Sequence, residues 1–328
     1  MRAIVYDQYG PPNVLVLKEV ARPVPADDAV LVRVHATVVT PSDCAFRKAE
    51  PFVVRLYTGL TRPKHPILGT VLAGVVEAVG GAVTRFKPGD RVFGASNTTF
   101  GCYADYVAVP ESGILTTMPP GISFAEVAAI SEGFLTAIPF LRDHGEIATG
   151  KTLLVNGASG NVGVNAIQIA KHFGAHVTGV CSTAHVDLVR SLGADDVIDY
   201  TKEDFTRSGR SWDIVLDAVA KSSFARCRPV LAPGGIYLIT AVSPSVLFGV
   251  LASHLSGGGK KMRNAATGLR KAADQVADLE ILKRLYAAGA LRGVVDHRYP
   301  LEKTAEAHVY VETGHKAGSV VIAVVDRA

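Results

Sequence analysis

No Cys-x-x-Cys pair occurs anywhere in this chain. Its cysteines stand singly at 44, 102, 181 and 227, which excludes a zinc ribbon and a disulfide framework and points to reduced, buried thiols. His172 and His176 are four apart, but Gly174 lies between them, so they do not share a helix face as a metal pair. A surplus of one charge is missing too. The 34 Lys and Arg are dispersed among 30 Asp and Glu, the pattern of a solvated surface and not of a nucleic-acid patch. The start, Met1-Arg2-Ala3-Ile4-Val5-Tyr6, lacks the apolar core of a signal peptide. The most apolar later stretch, Val242 to Leu255, is interrupted by Pro244, Gly249 and His254 and is too short to span a bilayer. Repeats and low-complexity tails are absent. These absences lead us to expect a cytoplasmic protein with no nucleic-acid and no membrane partner. Its 328 residues exceed one typical core, so two domains are expected.

What is present centres on Lys151-Thr-Leu-Leu-Val-Asn-Gly-Ala-Ser-Gly-Asn-Val-Gly163. Thr152 to Val155 is an apolar run too short for a helix and reads as a strand buried on both faces. Glycines follow at 157, 160 and 163. Apolar residues at Val162, Ala166, Ile167, Ile169, Ala170 and Phe173 then predict a helix stopped by Gly174. Strand, glycine turn and helix form the context of a dinucleotide fingerprint. The first helical turn offers unpaired N–H groups and about half a positive charge to a pyrophosphate. Gly160 allows close approach of the phosphate, and Gly163 allows close helix–strand packing. Ala158 occupies the first glycine position, so the match is imperfect.

Around this centre the chain changes period. From 1 to about 120 it reads as β. Val30, Val32, Val34 and Ala36 form one face of a strand, and short strands follow at Val71 to Val79, Arg91 to Phe93 and Tyr103 to Val109. Lys87-Pro88-Gly89-Asp90 is a tight turn. Such short strands suggest a small barrel. From about 121, helices (Ser123 to Ala129, Gly133 to His144, His185 to Leu192, Ser222 to Leu231, Asp274 to Ala288) alternate with strands. Those strands run from His176 to Cys181, Val197 to Asp199, Ile214 to Val219 and Ile236 to Thr240, which predicts a parallel sheet. After Gly289 the chain turns β-like, ending in Ser319 to Val325, with the reach of one barrel-completing hairpin.

Taken together, His65-Pro-Ile-Leu-Gly69, Ala73-Gly-Val-Val-Glu-Ala-Val-Gly80, Phe86-Lys-Pro-Gly-Asp-Arg-Val-Phe-Gly94, Tyr103-Ala-Asp-Tyr106, Asn156 to Gly163, Leu192-Gly-Ala-Asp195 with Ile198-Asp-Tyr200, and Pro233-Gly-Gly235 resemble the medium-chain dehydrogenase/reductase superfamily, in its zinc-lacking quinone oxidoreductase-like branch. The resemblance implies an α/β protein: a Rossmann doubly wound parallel sheet plus a GroES-like β-barrel domain completed by the C-terminus. Residues 1–121 would open the catalytic domain, 122–288 bind NADP, and 289–328 return to the catalytic domain. In the zinc-dependent alcohol dehydrogenases a Cys and a Gly-His-Glu supply metal ligands. The matching places here are Thr40 and Gly69-Thr70-Val71, and Ser131 to Thr136 holds no Cys. No metal is expected.

The second strand of the nucleotide unit ends in Gly179-Val180-Cys181-Ser182-Thr183, without the acid that binds an NAD ribose. Ser182 and Thr183, with His185 nearby, favour NADPH over NADH, and they also fit a helix cap. By the same resemblance Tyr200 faces the 2′-phosphate. Ser159, Gly160, Asn161, Val162 and Gly163 hold the pyrophosphate, and Pro41, Ser42 and Asp43 lie beside the nicotinamide in an interdomain cleft. Thr136, Val219, Thr240, Ala241, Val242, Ser243 and Lys316 line the rest of the groove. The implied reaction is hydride transfer from NADPH to a quinone or α,β-unsaturated carbonyl. Thr40, Lys48, Tyr57 and Lys64 are candidate donors, with bulk water as the alternative proton source. A zinc-independent carbonyl or alcohol dehydrogenase and a non-catalytic NADPH-binding protein stay open, as does a homodimer.

Overall fold

The computed structural model describes residues 1–96, 99–241, 243–255 and 259–325. In chain order the first elements are β1 (Arg2–Val5), β2 (Val16–Glu19), β3 (Ala29–Val39), α1 (Pro41–Lys48), α2 (Val54–Thr58), β4 (Val71–Val79), β5 (Arg91–Ala95), β6 (Tyr106–Pro110), β7 (Ile114–Thr117) and α3 (Phe124–Pro139). Next come β8 (Thr152–Asn156), α4 (Asn161–His172), β9 (His176–Cys181), α5 (Val186–Ser191), β10 (Asp196–Asp199), β11 (Trp212–Asp217), α6 (Phe224–Cys227), β12 (Leu231–Ile239), α7 (Pro244–Leu255) and β13 (Lys261–Arg263). The chain closes with α8 (Ala272–Ala287), β14 (Val295–Pro300), α9 (Thr304–Glu312) and β15 (Ser319–Ala323). It divides into two compact units: Met1–Glu132 with Lys271–Ala287 and Arg292–Ala328, and Gly133–Arg270 with Ala288–Leu291.

The first unit is built on a sheet of order β14-β15-β3-β4-β5-β7, with β6 also paired to β3 and a separate β1–β2 ribbon. Val30, Val32, Val34 and Ala36 are buried as their alternation requires, while Arg33 on the other face is exposed. Leu31 and Thr37 on that face are buried as well, and Thr37 Oγ1 donates to Val71 O at 2.6 Å. The turn at Lys87 to Asp90 forms with Gly89 at φ 93° and Asp90 N donating to Lys87 O at 3.1 Å.

Two expectations for this unit fail. The region to residue 120 is not all β: α1 and α2 interrupt it. The C-terminal return is not a hairpin either. β14 and β15 pair in parallel, and parallel neighbours need a crossover, which α9 supplies with Ala307, His308 and Val311 buried. β15 then pairs antiparallel with β3, and Arg2 Nη2 donates to Val324 O at 2.9 Å.

The second unit is a six-stranded sheet, β10-β9-β8-β11-β12-β13, parallel throughout. Leu153, Leu154 and Val155 are fully buried, as a strand covered on both faces must be. Trp212 is also buried, its indole N–H donating to Thr178 Oγ1 at 3.0 Å. The segment after Ser222 is shorter than expected: α6 and a 3-10 turn over Arg228–Val230 give way to β12 at Leu231.

The expected break between Ser123–Ala129 and Gly133–His144 is absent. α3 runs through Gly133, whose missing side chain leaves room for the next helix, since a Cβ there would lie 2.4 Å from Asn161 O. After Pro139, which has no N–H to give, the helix widens into a π turn at Phe140–His144. Phe124–His144 is, among the described residues, the one helix long and apolar enough to cross a membrane, and 72% of that window is buried inside the fold, as suits a core helix.

Candidate cofactor site

In a parallel sheet the segments leaving β8, β9, β11 and β12 all emerge at one edge. Between β8 and β11 the strand order reverses, which is where α/β sheets bind ligands. Gly157 turns the chain there with φ 86°, and the N–H groups of Gly157 and Ala158 both donate to Val180 O, at 3.2 and 2.9 Å. A Cβ on Gly157 would sit 2.5 Å from Val219 Cγ1. Ala158 is fully buried, with its methyl against Gly179, where a Cβ would come within 3.0 Å of it. The turn glycine is therefore Gly157, and Ala158 fills a gap in the core, which accounts for the imperfect fingerprint.

α4 starts at Gly160 with no capping side chain and no acid in its first turn. A Cβ on Gly160 would meet only Gly157 O, at 3.4 Å, so the space over the turn is open. Gly163 differs: a Cβ there would stand 2.2 Å from Gly157 O. An uncapped helix N-terminus beside open space fits a pyrophosphate, with Ser159, Asn161 and Val162 at its rim.

Asp217, at the end of β11, ties the strand ends together. Its buried carboxylate accepts from Asn156 Nδ2, Tyr237 Oη and Ser222 N, each at 2.9 Å, and from Val219 N at 3.3 Å. Thr240 N adds a bond to its carbonyl at 3.3 Å. Four donors on one carboxylate hold Val219 against Gly157. Asp217 was not picked out from sequence, because it belongs to no local motif, and Asn156 was quoted only as part of the glycine stretch. Val219 is 44% exposed, Thr240, Ala241 and Thr136 are half-buried, and Ser243 Oγ accepts from Val246 N at 3.2 Å in the first turn of α7. Val242 lies outside the described residues.

At the far side of the edge, β9 ends in Cys181, whose thiol burial pushes up to about 11. An acid does stand beside this strand end: Asp199 of the neighbouring β10 pairs in register with Cys181. Thr183 Oγ1 donates to Asp199 Oδ2 at 2.5 Å, Thr201 Oγ1 donates to Oδ1 at 2.7 Å, and Lys202 Nζ stands 3.3 Å from Oδ2. The Thr183 bond, more than any other partner, holds this carboxyl far below its usual range. Tyr200 is 57% exposed, and Ser182 and His185 are half-buried. Lys202, which the sequence did not single out, is brought to the same strand end by the turn after β10.

In the first unit Thr40, Pro41, Ser42 and Asp43 form the N-terminus of α1. Thr40 Oγ1 accepts from Asp43 N at 3.0 Å, and Thr40 N donates to Asp43 Oδ2 at 2.9 Å, a capping box with Pro41 in the first turn. Thr40 also donates its hydroxyl proton to Asp43 Oδ2 at 2.7 Å, so it has no proton to spare as a donor to substrate. Pro41 and Ser42 are exposed. Lys48 is engaged too, its Nζ 2.9 Å from Glu312 Oε1. Tyr57 packs its ring 6.2 Å from that of Phe100, and Lys64 is exposed. Lys316 is no free surface charge: its ammonium donates to Gly318 O at 2.6 Å, and burial lowers its pKa.

Beneath α1, Arg47 is wholly buried. It donates through Nη2 to Glu312 Oε1 at 2.5 Å, through Nε to Gly10 O at 3.0 Å and through Nη1 to His308 Nδ1 at 3.0 Å. Guanidinium only donates, so Nδ1 accepts and the imidazole is neutral. Burial and the Arg47 charge depress His308 to about 3.

Asp43 Oδ1 has no donor among the described residues, and burial lifts this carboxyl to about 6 despite the Thr40 bonds. A folded-state pKa raised above the unfolded one means that the native state binds the extra proton. The stability it contributes is full below about pH 4 and is lost as pH rises through about 6. Asp43→Asn keeps an oxygen for Thr40 and carries no charge. It is expected to be more stable than the parent by about 2–3 kcal/mol at pH 8, with the difference vanishing near pH ~4. Urea unfolding at both pH values checks this, and a constant difference would refute it.

Against known proteins, residues 26–120 match the family described as "Alcohol dehydrogenase GroES-like domain" and residues 192–322 the family described as "Zinc-binding dehydrogenase". At the ligand places of the zinc enzymes this chain has Thr40, Thr70 and Val71, and among the described residues no group of three or more His, Cys, Asp or Glu is arranged to hold a metal ion. The chain is 30% identical to the "Quinone-oxidoreductase homolog, chloroplastic" of Spinacia oleracea, covering 98% of both. It is 33% identical to the "NADPH-dependent alkenal/one oxidoreductase, chloroplastic" of Arabidopsis thaliana, over 98% of this chain and 79% of that protein. The structure of the quinone oxidoreductase from Coxiella burnetii superposes with a TM-score of 0.88 at 26% identity, over 99% of each chain. The alternating chain, the glycine turn at the switch point and these full-length likenesses agree: the chain belongs to the medium-chain dehydrogenase/reductase superfamily, among its quinone oxidoreductases and enone reductases.

Proposed function

We propose that this protein is an NADPH-dependent oxidoreductase that reduces quinones or α,β-unsaturated carbonyls. The observation that carries the cofactor is the open, uncapped start of α4 at Gly160, set where the strand order reverses. The acceptor class is supported by what the relatives are named for. When bound, NADPH supplies the hydride. The turn at Gly157–Gly163 would hold its phosphates, Asp217 fixes the neighbouring loop through Val219, and the Ser182, Lys202 and Tyr200 corner would receive the 2′-phosphate.

A quinone or enone already spreads the incoming charge onto an oxygen, so alignment and a neutral donor or water suffice. An unactivated alcohol needs strong stabilisation of its alkoxide, and one well-placed donor is worth about 10²–10³ in rate. With NADPH, 9,10-phenanthrenequinone and a 2-enal are expected to turn over at least ~10²-fold more efficiently than ethanol or benzyl alcohol with NADP⁺. Comparable alcohol efficiency would favour the carbonyl or alcohol dehydrogenase reading. A spectral shift of NADPH without oxidation would favour a binding protein.

Cofactor choice has its own test. Lys202→Ala strips the cation from Asp199 and leaves that carboxylate facing the 2′-phosphate. The ratio of kcat/KM for NADPH over NADH should fall roughly tenfold, the lower end for a charge-assisted hydrogen bond at an exposed site. An unchanged ratio would remove Lys202 from the phosphate corner.

A further inference from the structure

Arg2, Arg33, Asp105, Tyr106 and Val325 line a basin of about 340 Å³ in the first unit, a volume within the range of small-ligand sites. None of the five is a candidate for cofactor or substrate contact. Arg2 and Asp105 are locked together: Arg2 Nε and Nη2 donate to Asp105 Oδ1 at 3.2 and 3.0 Å, and Arg2 N donates to Oδ2 at 2.7 Å. Arg33 of β3 and Tyr106 of β6 are cross-strand partners in register, so their side chains leave the sheet on one face. The Tyr106 ring is held by Arg22, whose guanidinium lies 4.0 Å from the ring centroid and whose Nη2 stands 3.0 Å from Glu77 Oε1.

Charge decides which ligand. Asp105 neutralises Arg2 and Glu77 neutralises Arg22, which leaves Arg33 over. Among the described residues its guanidinium has no hydrogen-bond or carboxylate partner, and the Tyr106 hydroxyl has no hydrogen-bond partner either. The excess charge is felt nearby. His35, two residues along the same face of β3, has its pKa lowered first by burial and then by the charges of Arg33 and Arg91. We propose that the basin binds a small organic oxyanion, a carboxylate or a phosphate ester. The planar Arg33 fork takes two of its oxygens side by side, the Tyr106 hydroxyl donates to the same group, and the remaining volume holds the organic part.

The test uses the full chain, titrated by calorimetry with phenyl phosphate and with benzoate, with saturating NADPH present to cover the glycine turn. At least one of the two is expected to bind with a dissociation constant of about 1 mM or tighter, weakening as salt rises. The tighter of them identifies the headgroup. Arg33→Ala should raise that constant at least roughly tenfold, and Tyr106→Phe roughly three- to tenfold. Both variants should keep the parent melting temperature, since neither removes a bond within the fold. Arg33→Ala also separates this basin from any other anion site, whether or not NADPH is bound. Failure of the parent protein to bind either anion, or binding that Arg33→Ala leaves unchanged, would overturn the proposal.

Discussion

Gly163→Val is expected to abolish the native fold of the nucleotide unit. Its Cβ would stand 2.2 Å from Gly157 O and 2.8 Å from both Ala158 Cα and Ala158 C. All three are backbone atoms, so no rotamer change relieves the clash and α4 must lift off the turn. Ordinary overpacking costs about 1–3 kcal/mol and is absorbed by side chains that move. Here the relief would require breaking the packing of the helix on a strand whose central residues are fully buried. A loss above ~4 kcal/mol, a large part of a domain's total of about 5–15, is the expected scale. Soluble yield and thermal unfolding are the measurements. A melting temperature within a few degrees of the parent would mean that α4 sits farther from the turn than described.

Gly160→Val, three residues earlier, is expected to leave the fold intact and remove cofactor binding. Gly160 has φ −75° and ψ 170°, which any residue adopts, and its Cβ would make an ordinary contact with Gly157 O at 3.4 Å. The isopropyl group then occupies the open space over the first turn of α4. A pyrophosphate held off that turn loses at least two charge-assisted hydrogen bonds, each worth about 1.5–3 kcal/mol. The NADPH dissociation constant should rise by roughly 10²–10⁴ while the melting temperature holds. Calorimetry showing unchanged affinity would mean that the phosphates bind elsewhere. Taken together, the two valines separate binding from folding within one glycine turn.

How much of this was legible in the sequence depends on whether the signal is local. The buried strand at Thr152–Asn156, the turn and α4 each announce themselves within a few residues, so the parallel sheet and its glycine turn could be read directly. Thr40 to Asp43 was also local. Its capping-box spacing is visible, and a helix start there is compatible with the nicotinamide contact that the resemblance implies. Asp199 escaped the sequence reading because strand register and not sequence spacing puts it beside Cys181 at the end of β9. α9 hides for a different reason: its buried residues include Thr304 and His308, so no clean apolar stripe marks it. β13, at three residues, is too short to show a period.

The route of the chain through its two sheets has a consequence for biosynthesis. Every strand of the nucleotide sheet lies between Thr152 and Arg263, so that sheet can close while later residues are still in the ribosome. The other sheet begins with β3 but cannot be completed until β15, whose Val320 pairs with Val39 and whose Ala323 pairs with Ala36. Until then the edge of β3 awaiting β15 stays unpaired, and Arg47, whose Nε bonds Gly10 O, still lacks its His308 and Glu312 partners, which arrive some 260 residues later. The segment made first is thus the segment finished last, and for most of translation its open strand edge is the part of the nascent chain that most needs shielding from other chains.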